Sequence, residues 1–556
     1  MKMPPSTVHR PPSTVHRPPF LINPLGLAVS VGLLFACSGI VTAGCDKSLI
    51  TANPAEPHSE CVKQCGNDFN DHTSMDCTRS NVERILCPEY CAQARDDSCE
   101  SKQGNPINLS DGSKYQEETD YVGSGSHPLE IRRYFQSSFG NIDGTFGFGW
   151  SGINSSRIEA RYVKSEGAGT YADDMFLVKE QDGSVVTFLA AGSANGAIMT
   201  VPAKANVTDR LSVIEDAGGW ALHYVRGDGV IEHYRFDMDE YDSNNKYSSK
   251  LEWRQFLSGE KHYFSYSDDE KVTAISDDYG SKLAFTYHPS STHVASITVT
   301  PGNRVYHYDY DANGNLTHAY FPDDTPTNTT DDPFKRYHYE DARFTHYLTG
   351  ITDEQGGRYA TFAYNEDGNA ISTEHAGGVE KVEVVSYAEP NGGVRVRNAL
   401  GKDTIYRYTK TGSGASTSKR LIAVDGQASA NCAASNSTYS YDANGFRDKI
   451  TDGRGFVTDF DHNTKGQEIR RTEALGQQEQ RTTETDWYPS GTLKEIRTPG
   501  KTTRFTYTQG DGLGRLVSRT ETDTTTHSAP YATQGVSRTW SYSYTYHDAG
   551  HAKLRR

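Results

Sequence analysis

The unit Tyr310-Asp311-Ala312-Asn313-Gly314 returns as Tyr441-Asp442-Ala443-Asn444-Gly445. Looser copies follow Tyr364 (Asn365-Glu366-Asp367-Gly368), Phe460 (to Gly466), Tyr488 (to Gly491) and Tyr507 (to Gly512 and Gly514). Tyr266, Tyr287 and Tyr310 are 21 and 23 residues apart, and Gly445, Gly466, Gly491 and Gly512 are 21, 25 and 21 apart. A period of about 20 residues is that of one β-hairpin, which cannot bury its own face and must stack on its neighbours. An ordinary sandwich with frequent turns has no reason to keep that spacing.

The segments between the turns alternate. Leu283, Phe285 and Tyr287 fall on one side, as do Ala295, Ile297 and Val299, Tyr306, Tyr308 and Tyr310, and Tyr542, Tyr544 and Tyr546. Period two with aromatic and β-branched residues predicts half-buried strands, and no comparable helical period follows residue 100. Asn-Gly favours a type I′ hairpin, because both turn residues need positive φ. The 34 tyrosines mark the strands, and the 51 glycines mark the turns. The formal charge of −16 has the wrong sign for a nucleic-acid partner. An aromatic content of 11% argues against wholesale disorder.

The first residues read as an address. Pro4 to Arg10 is PPSTVHR and Pro11 to Arg17 repeats it; Lys2, Arg10 and Arg17 precede an uncharged stretch from Pro18 to Gly44. A positive flank, an apolar centre and a Val41-Thr42-Ala43 end predict a secretory signal cut after Ala43. An uncleaved membrane anchor and a lipoprotein are the alternatives. Removing residues 1–43 takes away three basic and no acidic residues, leaving 53 − 72 = −19. Export predicts a periplasmic, cell-surface or secreted protein. It also makes the cluster Cys61, Cys65, Cys77, Cys87, Cys91 and Cys99 read as disulfides in a small α segment. Cys61–Cys91 with Cys65–Cys87 would staple two helices, but Pro88 interrupts the second, and zinc is the competing reading.

With the repeat and its flanks in view, the chain resembles the Rhs (rearrangement hotspot), or YD-repeat, family. Gly104-Asn105-Pro106, then Pro128-Leu129-Glu130-Ile131-Arg132-Arg133-Tyr134, then Phe146-Gly147-Phe148-Gly149-Trp150 resemble the region that precedes such repeats. The family's repeats wind as a spiral β-sheet into a hollow shell. In many bacterial members the shell encloses a toxin released at a D-P-x-G-L-type site, and this sequence has no such motif. The resemblance implies a mainly β fold, with a curved antiparallel sheet of stacked hairpins forming part of a shell. The organisation expected is a signal at 1–43, a Cys-rich module at 44–101, a β head region at 102–180 and the repeat array at 181–556. The repeat-motif positions are Tyr310, Asp311, Asn313, Gly314, Tyr441, Asp442, Asn444, Gly445, Gly466 and Gly491. The head-motif positions are Gly104, Asn105, Pro106, Pro128, Leu129, Arg133, Tyr134, Gly149 and Trp150.

Tyr546-His547-Asp548-Ala549-Gly550 opens a further unit that Arg556 leaves incomplete, so the expectation is the front part of a longer protein. No H-E-x-x-H, G-x-S-x-G or Walker loop occurs. No cofactor, metal or catalytic residue is therefore assigned. The leading expectation is a non-enzymatic exported scaffold of a toxin or contact-dependent competition system. Its partners would be a toxin cargo or a downstream shell segment. A surface-contact or carbohydrate-binding protein, meeting envelope glycans, is the alternative; an unrecognised hydrolase is the third.

Overall fold

The structure, a computed structural model, describes residues 101–555 apart from 126, 162–174, 195–196, 203–205, 217, 237–245, 290, 324–330, 412–417, 429–433, 509–515, 531 and 547–551. The signal, Ala43 and the cysteines from Cys61 to Cys99 lie outside the described residues, as do Gly512 and Gly514. Among the described residues helix is confined to 3-10 turns such as Ser137–Phe139 and Ile153–Ser155, and the rest is antiparallel strand and turn.

Two sheet systems form. The head comprises β1 (Lys102–Gln103), β2 (Ile107–Asn108), β3 (Ser113–Val122), β4 (Glu130–Gln136), the small pair β5 (Asp143–Gly144) and β6 (Gly147–Phe148), and β7 (Trp150–Gly152). Its five-stranded sheet runs β1-β2-β3-β4-β7. The long sheet opens with β8 (Arg157–Arg161), β9 (Met175–Lys179), β10 (Val185–Ala194), β11 (Ala197–Pro202), β12 (Arg210–Asp216), β13 (Gly219–Val225), β14 (Ile231–Phe236), β15 (Lys246–Gln255) and β16 (Lys261–Tyr266). Each strand pairs with the next as far as Ser537–Ser541. Short hairpin connections dictate that order, since sequential antiparallel strands need only a tight turn.

One pairing departs from the simple ribbon. β15 is ten residues long and β14 is six, so β15 has edge to spare. Lys246, Tyr247 and Ser248 pair with Arg161, Ala160 and Glu159 of β8, while Trp253, Arg254 and Gln255 pair with β16. β8 and β16 thus occupy successive parts of one edge of β15. Strands β8 to β15 form a ring of pairings, and the sheet continues from β16. Apolar side chains from these strands fill the ring: Ile158, Phe176, Val178, Phe188, Leu211, Val213, Leu222, Tyr224, Tyr234 and Leu251 belong to the main core.

The repeat turn differs from the type I′ expectation. Gly314 takes a φ of 79° and Asn313 is not among the positive-φ residues; Gly445 at 80° and Asn444 repeat this. Gly314 N–H donates to the Asp311 carbonyl, and Asp311 N–H to the Asn315 carbonyl, both at 3.0 Å. This is a type I turn closed by a left-handed glycine. Asp311 explains the choice. Its Oδ1 accepts N–H bonds from Asn313 at 2.8 Å and Asn315 at 2.9 Å, an Asx turn that holds the right-handed conformation. The aspartate of the repeat is therefore a turn cap.

The tyrosine has its own role. A register shift precedes Tyr266, Tyr287, Tyr310, Tyr364, Tyr441 and Tyr507. The extra residue of this β-bulge lies on the following strand, as Thr317 does opposite Asp309 and Tyr310, so the tyrosine keeps its place in the alternation. The hydroxyl then donates to a backbone carbonyl earlier in the chain: Tyr310 to Val294 at 2.9 Å, Tyr364 to Leu348 at 2.7 Å, Tyr441 to Leu421 at 2.7 Å. Each bond stitches one hairpin to the previous one. Two looser units are reassigned by this geometry. Before Gly466 the bulge falls at His462, not Phe460. Before Gly491 it falls at Trp487, whose Nε1 donates to the Glu468 carbonyl at 2.9 Å, and Tyr488 takes the turn position of the aspartate.

Candidate functional site

The head lies on the long sheet, and its polar residues make the contact. Along β3, Lys114, Gln116, Glu118 and Asp120 share one face. Sequence reasoning would send such a row to solvent, yet Lys114, Gln116 and Glu118 are buried and the Asp120 side chain is 1% exposed. They satisfy one another. Lys114 Nζ donates to Gln116 Oε1 at 2.9 Å and sits 4.2 Å from the Phe362 ring centre. Gln116 Nε2 donates to Glu118 Oε1 at 2.8 Å, and Lys335 from the long sheet pairs with Glu118 at 2.8 Å. Burial holds the Lys114 ammonium well below its ordinary range, only partly offset by Glu118.

Arg133 and Asp120 are the centre of the contact. Arg133 is fully buried and makes two bonds of 2.7 Å to the Asp120 carboxylate. Burial alone would lower the Arg133 guanidinium, but Asp120 overrides it and holds it well above its ordinary range. Two tyrosines of the long sheet complete the pair: Tyr308 donates to Asp120 at 2.8 Å, and Arg133 donates to the Tyr337 oxygen at 2.8 Å. Trp150, Tyr308 and Tyr337 place their rings 5.1 to 5.4 Å from the guanidinium carbon, and Trp150 Nε1 donates to Tyr339 at 2.9 Å. A buried ion pair is costly unless its remaining donors and acceptors are met. Tyrosine hydroxyls from strands some 200 residues away serve Arg133 Nη2 and Asp120, while Arg133 Nη1 has no hydrogen-bond partner and lies among the aromatic rings.

The other head-motif residues serve the same docking or shape the head. Asn105 N–H donates to Thr373 Oγ1 at 3.2 Å, and the Pro106 carbonyl accepts from Tyr115 within the head. Gly104 and Gly149 have positive φ, and a Cβ on Gly149 would meet the Phe135 ring at 2.7 Å. Leu129 and Tyr134 are buried, and burial raises the Tyr134 phenol. Gly147, in the Phe146–Trp150 cluster of the head motif, has a positive φ, and a Cβ there would meet the Gly314 carbonyl oxygen at 2.6 Å. Phe148 N–H donates to that same carbonyl at 3.3 Å, so a head loop rests directly on a repeat turn. Of the repeat motif, Tyr310 and Gly314 touch the head region, whereas Tyr441, Gly445, Gly466 and Gly491 serve turns and stitches elsewhere.

A cavity of about 310 Å³ opens at the seam between head and ring, with Pro128, Arg132, Gln181, Arg254, Phe256 and His262 in its lining. His262 is buried and its Nε2 donates to the His127 carbonyl at 3.0 Å, which leaves Nδ1 an acceptor without a partner. Burial pushes its imidazole down to about 4, so it is neutral at ordinary pH. No cluster of three or more potential metal ligands occurs among the described residues.

Residues 104–188 match the model of a family described as a domain of unknown function (DUF6531), which spans the head and the first ring strands. No curated protein sequence matches the chain. Among solved structures, a TcdB2-TccC3 chain without its hypervariable C-terminal region is similar over 81% of this chain and 26% of that one, at 9% identity and a TM-score of 0.36. The Tc holotoxin pore of Photorhabdus luminescens is similar over 81% and 23%, at 11% identity and a TM-score of 0.31. The N-terminal domain of effector protein SpvB from Salmonella typhimurium strain LT2 is similar over 58% and 99%, at 13% identity and a TM-score of 0.22. The chain thus spans about a quarter of the length of the TcdB2-TccC3 chains it matches.

Proposed function

We propose that the chain is a non-enzymatic exported scaffold, the front part of an Rhs-type shell that surrounds a toxin cargo or joins a further shell segment. The observation that carries this reading is the head docked on the long sheet through Arg133 and Asp120. A buried charged pair completed by Tyr308 and Tyr337 commits the head to one face of the sheet. The continuous hairpin-to-hairpin order and the tyrosine stitches supply a wall built by repetition.

The test is to express the chain together with the coding sequence that follows it and to digest the purified product. A co-purifying polypeptide that resists protease until the sheet is unfolded supports the scaffold. A product in which every polypeptide is digested at the rate of its isolated form overturns it.

A further inference from the structure

One end of the ring gathers a set of buried ionisable groups. Glu180 follows β9, Asp209 precedes β12, Tyr224 lies in β13, Arg226 and Asp228 follow that strand, Glu232 and Tyr234 lie in β14, and Arg254 lies near the end of β15. Tyr224 is fully buried, and Glu180 and Asp209 are 6% and 7% exposed. The Tyr224 oxygen is 2.8 Å from Glu180 Oε1 and 2.9 Å from Asp209 Oδ2. A phenol has one proton to donate, and an ionised carboxylate only accepts. Two full hydrogen bonds at these distances are met when one of the two carboxyls carries a second proton; otherwise the one phenol proton is divided between two anions.

The surrounding charges point the same way. Arg254 is committed to Glu232 at 2.7 Å, and the other Glu232 oxygen accepts from Tyr234. Arg226 is left to serve Glu180 at 3.4 Å and Asp228 at 3.6 Å. Glu180, Asp209 and Glu232 thus face two guanidinium groups, with Asp182 and Asp228 adding further negative charge nearby. An uncompensated buried carboxylate is costly, and it takes up a proton instead. Asp209 also accepts the Gly227 N–H, which suits it to be the anion and leaves Glu180 the acid. Burial, opposed by Arg226 and reinforced by Asp182, Glu232 and Asp209, raises the Glu180 carboxyl to about 7.

We infer that Glu180 and Asp209 hold one shared proton around Tyr224 in the folded ring, making this end of the ring a proton-binding site whose closure loosens in alkaline solution. β9 pairs with β8 and β10, and β13 with β12 and β14, so the bridge through Tyr224 crosses the ring rather than following the sheet. Loss of the proton sets two carboxylates against one hydroxyl and releases that cross-brace. The folded state binds the extra proton and the unfolded chain gives it up above the ordinary glutamate range. Stability therefore falls as pH rises from about 4.5 to about 7.

Infrared spectra of the whole chain titrated in pH provide the test. A protonated-carboxyl carbonyl band is expected at pH 6, lost by pH 9 and missing from Glu180→Gln. In urea unfolding the wild type should lose up to about tenfold in folding constant per pH unit between about 4.5 and about 7, and nothing further above it, relative to Glu180→Gln, whose amide needs no proton to donate to Tyr224. If Glu180→Gln does not fold, Asp209→Asn carries the same comparison. Absence of the band at pH 6, or an equal pH slope in wild type and variant, overturns the inference.

Discussion

The stretch of long sheet under the head and the stretch from Ser435 onward use the same local grammar and end in different states. Tyr310 and Tyr441 both follow a bulge, precede an aspartate-capped turn and donate to a carbonyl of the preceding hairpin. Under the head, Tyr308, Tyr337 and Tyr364 are 1 to 3% exposed. Beyond it, Val457–His462 has no buried residue and all five residues of Ser537–Ser541 are exposed. The repeat specifies the hairpin; a cover decides whether the hairpin becomes a core.

The largest expected contrast is between two tryptophans. Trp150→Ala should cost about 3–5 kcal/mol, the usual loss for a large buried aromatic, and it also strands the Tyr339 hydroxyl. Trp540→Ala, at a side chain 37% exposed, should cost under about 1 kcal/mol. Urea unfolding of the two variants checks the pair, and equal losses would break the comparison.

A smaller contrast is expected at the turns. Gly314→Ala and Gly455→Ala both force a residue with a side chain into left-handed backbone, at about 1 kcal/mol. A Cβ on Gly314 would also meet His293 and Phe148 at 3.1 to 3.2 Å, whereas a Cβ on Gly455 meets nothing within 4 Å. Thermal midpoints should therefore fall further for Gly314→Ala. The smallest contrast is in the stitches. Tyr364→Phe should cost about 1–2 kcal/mol, because both partners of its bond are buried, while Tyr441→Phe should cost somewhat less, because Tyr441 itself is only half-buried although Leu421 is buried. Identical unfolding shifts in these two variants would show that cover does not matter to the stitch.

Much of this was legible in the residues. The Tyr-Asp-x-x-Gly period pointed to antiparallel hairpins, and the head motif includes Arg133 and Trp150, which lie buried at the contact with the long sheet. Three features were not legible, each for a physical reason. The position four residues before the turn glycine takes the tyrosine's place, and in two units it holds His462 and Trp487, so the nearby Phe460 and Tyr488 mislead. The burial of Lys114, Gln116, Glu118 and Asp120 could not be seen in sequence because the long-sheet partners of the row, Lys335 on Glu118 and Tyr308 on Asp120, are about 200 residues distant. The ring closes through β15 and β8, a non-local pairing that no turn residue announces.

Amide hydrogen exchange on the whole chain, wild type against Arg133→Ala, tests most directly that docking of the head creates the difference between the two stretches. Removing the guanidinium leaves Asp120 a buried, unpaired carboxylate. The account predicts that protection across residues 304–364 falls to the level already shown by residues 435–507, which themselves stay unchanged. Undiminished protection across 304–364 in a folded Arg133→Ala chain would contradict it.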